Sequence, residues 1–487
     1  MKNTIIFIVL FLSFTEIQSQ EYIFDENYGA EGILIHEEFG GKLNVGKSIL
    51  LGDGSLLIFG RNDTQGLRIQ MLKILPSGEL DLSFGTEGIG DFLANVTCNN
   101  AAIQSDGKIV GVGYRSQNGT RKVSAFRINA NGTWDDTFGD NGSVVIEGAY
   151  TSAVDVLVDQ SDAIYLTDNR NLIKLTSDGM LDASFGSNGI ATNNDGIISL
   201  SQKADGTILI GGVYFTPLFE TKIYFQEIGP NGGFVGDQIK YDSPSTGDEI
   251  SFLKVMEDGK VIIGGSSIID GIKQGVLVGF NTDDELMFSQ VLDLQDTNKI
   301  TDVVKHPDGS FTCIGSSFSN FRYTAYLSKF DASGNLVRTQ EFDDIKLREI
   351  LGDQAVASCH MLADNTLWLT GTAEENLLNV NFYSAKIIET NMVSSISRVR
   401  SLEEISISPN PTTSNFNICF SLAKDQNLEI QLLDLQGRLM KVVSKNQFYQ
   451  KGEHNLEVNA SLSTGSYLLS LLNSKGEQVT QKIQIIQ

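Results

Sequence analysis

This chain is poor in several residue types, and each shortage narrows what it can be. Four cysteines in 487 residues, Cys98, Cys313, Cys359 and Cys419, are too scattered to form a disulfide framework or a CxxC metal pair. They read as small buried apolar side chains; a Cys313–Cys359 bridge between neighbouring repeats is the alternative in an oxidising compartment. Seven prolines leave little room for rigid linkers. Basic residues are outnumbered 36 to 60, and the net charge of −24 repels nucleic acid and anionic membrane surfaces, so neither is expected as a partner. Four histidines, His36, His306, His360 and His454, lie far apart and none pairs at i, i+4, which argues against a histidine metal site. Trp134 and Trp368 are the only tryptophans, each on or beside a predicted strand, where packing is favoured over sugar stacking. One long apolar run occurs, at residues 5–14, broken only by Ser13. It is too short for a bilayer anchor; with Lys2 before it and Ser19 after it, it reads as an export signal cut near Ser19-Gln20. No transmembrane anchor is expected elsewhere.

Glycine, by contrast, is plentiful at 48 residues, and it is arranged. A strand–turn–strand pattern recurs, centred on Asp53-Gly54, Asp106-Gly107, Asp162-Ala163, Asp205-Gly206, Asp258-Gly259, Asp308-Gly309 and Asp364-Asn365. Successive spacings are 53, 56, 43, 53, 50 and 56 residues. Asp-Gly suits a two-residue hairpin turn with both central residues at positive φ. β-Rich stretches such as Ile208-Leu209-Ile210-Gly211-Gly212 flank the turns, and no helical period competes. A second hairpin signal follows about 25 residues later, at Ser77-Gly78, Asn131-Gly132, Asp178-Gly179, Asn231-Gly232, Asp283-Asp284 and Ser333-Gly334. In the third copy the gap shrinks to 16 residues, which demands a short connection.

Two hairpins per repeat give four antiparallel strands, and seven such repeats predict an all-β fold: a seven-bladed β-propeller of four-stranded blades. Each blade has two apolar faces that it cannot cover alone, so a ring satisfies all of them. The phrase Asp-x-x-Phe-Gly-x-x-Gly follows the second turn, at Asp81, Phe84, Gly85 and Gly88, at Asp135, Phe138, Gly139 and Gly142, and at Asp182, Phe185, Gly186 and Gly189. It recurs near the N-terminus as Asp25, Tyr28, Gly29 and Gly32 with no repeat before it, while the seventh repeat fades after Lys386-Ile387-Ile388. An N-terminal strand completing the last blade accounts for both. The stretch Ile103-Gln104-Ser105-Asp106-Gly107-Lys108-Ile109-Val110, with Phe126-Arg127-Ile128-Asn129-Ala130-Asn131-Gly132 and the phrase after it, resembles the bacterial delta-60 repeat. The resemblance covers roughly residues 22–390 and implies a propeller, with no activity assigned to most members.

A different unit begins beyond a Ser- and Arg-rich linker at residues 391–402. Strand-like stretches at 416–422, 428–433, 440–443, 455–458, 467–472 and 479–486, with a hairpin at 433–438, predict a small C-terminal β-sandwich. Pro409-Asn410-Pro411, Asp434 with Gly437-Arg438, Leu462 with Gly465 and Tyr467, and Lys482 resemble the type A sorting domain of the type IX secretion system of Bacteroidetes-type bacteria. That resemblance implies Sec export, passage across the outer membrane with the type IX machinery as partner, and a secreted or cell-surface product. The expected organisation is a signal peptide at 1–19, a propeller at 20–390, a linker at 391–402 and a sorting domain at 403–487.

Catalytic signals are weak. Gly41-Lys42-Leu43-Asn44-Val45-Gly46-Lys47-Ser48 fits the phosphate-binding P-loop pattern, yet a P-loop must open a helix, and the first repeat needs a strand there. Asp135, Asp136, Asp140 and Asn141 offer oxygens that calcium would accept, but turn aspartates more often bond their own backbone. No cofactor and no catalytic residue is assigned. The expected role is a non-enzymatic binding or scaffolding module, with a polysaccharide or surface protein as ligand held by loops such as 116–122 and 215–221. The alternative is a carbohydrate-active enzyme with carboxylates at the propeller channel.

Overall fold

The computed structural model describes residues 19–486, except 26, 29–32, 37–42, 63–67, 94–95, 118, 149–151, 244, 295, 320–321, 343–355, 377–378, 393–401, 414, 423–424, 435–438, 460–461 and 474–477. The expected export signal, apart from Ser19, lies outside these residues, as do Gly437 and Arg438. Among the described residues there is no helix, and the strand pairings with a described register are antiparallel. The chain divides into two compact units, Tyr22–Glu389 and one containing Thr390–Gln487.

In the first unit, sheet A takes Leu43–Leu50, Leu56–Asn62, Arg68–Ile74 and Ile89–Leu93 in order. Sheet B takes Asn100–Ile103, Ile109–Gln117, Thr120–Ile128 and Ser143–Val145. Sheet C takes Asp155–Val158, Ile164–Thr167, Asn169–Leu175 and the first part of Ile190–Gln202. Sheet D uses the second part of that strand, then Ile208–Phe215, Thr221–Ile228 and Phe234–Lys240, so C and D are continuous. Sheet E holds Asp248–Val255, Val261–Ile269, Ile272–Phe280 and Leu286–Leu292, and sheet F holds Thr297–Lys305, Phe311–Ser319, Arg322–Phe330 and Leu336–Phe342. Sheet G holds Val356–Met361, Leu367–Asn376 and Asn379–Met392, and its last strand pairs with Ser19–Phe24 and Ile33–His36 from the start of the chain.

The hairpin turns differ from the expected two-residue type. Gly54 N–H donates to Leu51 O (2.9 Å) and Leu51 N–H to Ser55 O (2.8 Å), and of the Asp53-Gly54 pair only Gly54 has a positive φ, of 80°. This is a type I turn followed by a left-handed bulge residue, in which Asp53 keeps an ordinary φ while its Oδ1 accepts the Ser55 N–H at 2.9 Å. The third copy is shifted: Asp162 itself is left-handed (φ 63°) and takes the place of Gly54, so the turn centres one residue earlier than Asp162-Ala163. The expected loop at 116–122 is a tight hairpin, since strands run to Gln117 and restart at Thr120.

Other glycines are there for close approach. The first strands of A, D, E, F and G carry a bulge opposite a glycine of the second strand, at Gly60, Gly212, Gly265, Gly315 and Gly371. A Cβ on Gly265 would sit 1.9 Å from Glu249 O, so only glycine lets the bulged carbonyl turn inwards. Residues 43–50 form the first strand of sheet A, which leaves no helix for the P-loop-like segment to open.

Neighbouring sheets share apolar clusters. Phe59 (A) with Phe126 (B), Val112 (B) with Ile164 (C), Leu172 (C) with Ile210 (D), and Phe225 (D) with Val276 (E) belong to common cores. The series continues with Leu277 (E) and Tyr326 (F), then Leu327 (F) and Leu369 (G), and returns with Trp368 (G) and Ile58 (A). First strands also touch in succession from A to G, and that of G touches that of A. Each such buried large side chain contributes about 1.5–3 kcal/mol. Trp134 stacks on Phe126 at 5.7 Å and meets Phe92 of sheet A at 5.5 Å, a packing role.

The second unit has a three-stranded sheet, ordered Leu402–Ser408, Asn415–Leu422, Gly452–Asn459, and a four-stranded sheet, ordered Leu439–Tyr449, Gln426–Asp434, Gly465–Asn473, Gln478–Ile485. Phe416, Ile418 and Phe420 of one share a core with Leu428, Ile430, Leu469 and Ile483 of the other. The strand expected at 440–443 is longer, running from Leu439 to Tyr449.

Candidate functional site

The first strands are where carboxylates of a channel enzyme would stand, and several of their polar groups join neighbouring sheets. Asp155 of sheet C bonds Asn100 of sheet B through Oδ1, and through Oδ2 it accepts Ser199 Oγ (3.1 Å) and Leu200 N–H (2.8 Å) of the next strand. Ser199 Oγ in turn accepts the Leu253 N–H of sheet E at 3.0 Å. Asp302 of sheet F meets Lys254 Nζ of sheet E at 2.5 Å and accepts the Cys359 N–H of sheet G at 3.1 Å. Burial alone would raise the Asp302 carboxyl, but Lys254 and the Cys359 amide hold it below the usual range. Ser48 of sheet A closes the series, with its Oγ 2.8 Å from His360 Nε2 and 2.9 Å from Thr370 Oγ1 of sheet G. Burial pulls the His360 imidazole down to about 4, so it is neutral near pH 7.

A second set of contacts uses the Phe-Gly phrase. Gly85 N–H donates to Asn131 O (2.7 Å), Gly139 N–H to Asp178 O (2.9 Å) and Gly186 N–H to Asn231 O (2.7 Å), each reaching the second turn of the next sheet. The phrase aromatic lies under that turn's glycine: a Cβ on Gly132 would meet Phe84 at 2.9 Å, and one on Gly78 would meet Tyr28 at 2.8 Å. Tyr28 therefore joins the N-terminal segment to sheet A as well as to Trp368 of sheet G, whose Nε1–H donates to its hydroxyl at 3.1 Å.

Among the calcium candidates, Asp135 and Asp140 have protein partners of their own. Asp135 accepts Arg127 Nε–H at 2.7 Å and Thr137 Oγ1 at 2.6 Å, and Lys108 stands 3.3 Å away. Against the upward pull of burial, these partners keep its carboxyl well below the ordinary range. Asp140 accepts Asn141 Nδ2–H at 2.8 Å. Among the described residues no three His, Cys, Asp or Glu side chains stand together as metal ligands. Cys98, Cys313, Cys359 and Cys419 are all free thiols, the first three buried.

One hairpin breaks the pattern of polar tips. Between Ile208–Phe215 and Thr221–Ile228, Thr216 N–H bonds Glu220 O (2.9 Å) and Phe219 N–H bonds Thr216 O (2.9 Å), the same turn as elsewhere. Its left-handed position holds Phe219 (φ 64°), which is 88% exposed, beside Leu218 (80%) and Phe215 (64%). The base is rigid. Lys222 Nζ donates to Ser243 O and Ser245 O, both at 2.6 Å, Thr221 Oγ1 donates to Asp248 O at 2.9 Å, and Asp248 accepts Ser243 Oγ (2.8 Å) and Ser267 Oγ (2.7 Å). Nothing in sequence periodicity marks this tip, although Pro217-Leu218-Phe219 in a turn is unusually apolar.

In the second unit, Pro409-Asn410-Pro411 lies along the edge strand Gln478–Ile485. Asn410 Nδ2–H donates to Lys482 O and Gln484 N–H donates to Asn410 Oδ1, both at 2.9 Å. Thr412 continues as backbone, its N–H to Gln484 O (2.9 Å) and its carbonyl accepting Ile486 N–H (2.8 Å). The asparagine amide thus acts as one more peptide unit of a strand. Tyr467 is buried, pairs in register with Asp434, and donates its hydroxyl to Ser463 O at 2.8 Å, while Gly465 opens the same strand. The Lys482 side chain is exposed, so only its backbone joins this arrangement.

Residues 406–487 match a family described as a secretion system C-terminal sorting domain, and residues 104–138 match a β-propeller domain of unknown function, DUF5122. A search of curated proteins gives no match. Among solved structures, the chain is similar to PorZ, a surface component of the type IX secretion system of Porphyromonas gingivalis, at 11% identity and a TM-score of 0.28, over 96% of this chain and 81% of that one. It is also similar to the polysaccharide lyase Uly1 (10%, TM-score 0.43, 71% and 90% covered) and to Sqt1 from Chaetomium thermophilum (11%, 0.44, 76% and 100%). At these scores the likenesses carry no statement about activity. The sorting domain identifies a protein exported by the type IX secretion system, to be displayed at the cell surface or secreted.

Proposed function

We propose that residues 20–390 form a seven-bladed propeller of the delta-60 kind, closed by the N-terminal strands, and that it works outside the cell as a non-catalytic binding or scaffolding module. A signal peptide at 1–19, a linker at 391–402 and a β-sandwich sorting unit at 403–487 complete the chain, in a Bacteroidetes-type bacterium. The shared apolar clusters that return from sheet G to sheet A support the blade count. Within the sorting unit, Asn410 and Tyr467 act as fold clamps for the surface that the machinery reads.

The observation that carries the binding role is Phe219. A bulky residue at positive φ costs about 1–2 kcal/mol, and this one gives nothing back in packing. An apolar tip held on a rigid base is what a ligand-contacting loop requires. The ligand is a polysaccharide or a surface protein. The inner carboxylates of Asp155 and Asp302 speak against the enzyme alternative, since both are already bonded to neighbouring sheets.

The test uses the purified chain on arrays of bacterial and algal polysaccharides and of surface proteins, scored for retention and for released product. Retention without product, abolished by Phe215→Ser with Phe219→Gly, is expected. Product release, or retention unchanged in that variant, overturns the assignment. Phe219→Gly should leave stability unchanged or raise it by up to about 1 kcal/mol, because the turn strain is relieved.

A further inference from the structure

The four-stranded sheet of the second unit has two edges, and they are treated differently. On Gln478–Ile485 the outward backbone groups from Lys482 O to Ile486 N are filled by Asn410 and Thr412. The other edge, the eleven-residue strand Leu439–Tyr449, pairs only with Gln426–Asp434 among the described residues. Unpaired edges invite strand addition, and proteins normally shorten, charge or cover them. Register shifts interrupt this one and Asn446 within it is left-handed (φ 46°), yet it keeps apolar side chains in the open: Leu439, Met440, Val442 and Phe448 are between 40% and 58% exposed. Its only charges are Lys441 and Lys445, in a chain whose net charge is −24.

We propose that the Leu439–Tyr449 edge is the docking strand for the type IX machinery, taking an extended segment of an outer-membrane component in which apolar residues alternate with acidic ones. The occupant follows from three observations. The unit is a sorting domain, so the machinery is a partner that it must meet. The motif residues close the opposite edge of this sheet, which leaves Leu439–Tyr449 as its open one, while Leu402–Ser408 and Gly452–Asn459 are the edges of the other sheet. The two lysines repel a second copy of the same strand, while an acidic segment would pair with them. The proposal rests on the sorting role assigned to this unit.

The experiment expresses the full chain in a bacterium with a working type IX system and measures the fraction delivered outside against the fraction held in the periplasm. Deleting residues 403–487 tests the sorting role itself: continued delivery would overturn that role and the proposal with it. Val442→Glu with Lys445→Glu should lower delivery about tenfold or more, since like charges across a docked strand cost several kcal/mol. Met440→Ser with Phe448→Ser removes apolar surface without adding charge and should lower delivery too. Asn455→Glu with Gln481→Glu, exposed on other strands, should leave it unchanged. Purified variants are compared by melting, and all four edge positions are exposed or at an edge, so folding should survive. Normal delivery of either folded edge variant, with the deletion blocked, overturns the edge proposal and leaves the sorting role standing. Equal loss in the control variant also overturns it, because the effect would then be charge in general.

Discussion

His360 shows how a single side chain can tie the pH response of this fold to its ring. Its imidazole faces Ser48 across the join between sheets G and A, and burial holds its pKa at about 4 instead of 6.5. A base depressed on folding binds fewer protons in the native state than in the unfolded one. Its contribution is therefore complete above about pH 6.5 and is lost as the pH falls towards 4. Allowing for its partial exposure, the loss should be on the order of 2 kcal/mol. His306, also lowered by burial, adds in the same direction. Urea unfolding at pH 7, 5.5 and 4.5 should show this slope, and His360→Gln should flatten most of it while keeping a partner for Ser48. A second acid window follows from Asp182, whose bonds with Ser184 and Lys174 bring it down to about 2: that stability is full above about pH 4 and falls away towards pH 2. An identical slope in the His360→Gln variant would remove the histidine from the account.

Among the elements, Ile190–Gln202 is the one that carries most. It ends sheet C and begins sheet D, with register shifts that let one strand serve both partners. Ser199 sits after that shift and joins Asp155 of sheet C to Leu253 of sheet E. Ser199→Ala should cost about 1–3 kcal/mol, because it leaves the buried Leu253 N–H without its partner and takes one of two donors from Asp155 Oδ2. Thermal melting of the variant checks this, and a change under about 0.5 kcal/mol would show that water replaces the hydroxyl freely. Its composition does not announce a strand, since Asn193-Asn194-Asp195-Gly196 is rich in turn-forming residues, and the pairing of its neighbours makes it extended. Turn residues were legible by type but not by geometry, since Asp-Gly fits more than one hairpin and strand twist chooses between them.

For the whole molecule, closure is the property to test. Tyr22 and Tyr28 are buried against sheets F and G, with the Tyr22 hydroxyl 2.6 Å from Thr312 Oγ1 and the Tyr28 hydroxyl 2.6 Å from Ser384 Oγ. Deleting residues 21–36 should cost on the order of 6 kcal/mol or more from these two side chains alone, read as a large drop in melting temperature. An unchanged melting point would show that sheet G does not need the N-terminal strands. The repeated Phe-Gly phrase exposed this segment in the sequence because Tyr28 must lie under Gly78 as Phe84 lies under Gly132. The loop at 215–221 was legible as a contact candidate, but neither its exposed apolar tip nor the open sorting edge was. Exposure depends on what the rest of the chain leaves uncovered, and no local pattern records that.

The joining of the two ends also sets an order of events. Tyr22 finds partners 290 and 318 residues away, so the segment made first waits for the segment made near the end. Until about residue 389 has emerged, sheet G has an open edge and Tyr22 and Tyr28 have nowhere to go. A chain stopped before Asn379–Met392 would therefore lack both the strand that receives its N-terminal segment and the sorting unit, since both lie downstream. Closure of the N-terminal strands thus precedes completion of the sorting unit along the chain, and a chain that carries the whole sorting unit already carries every segment the closure needs.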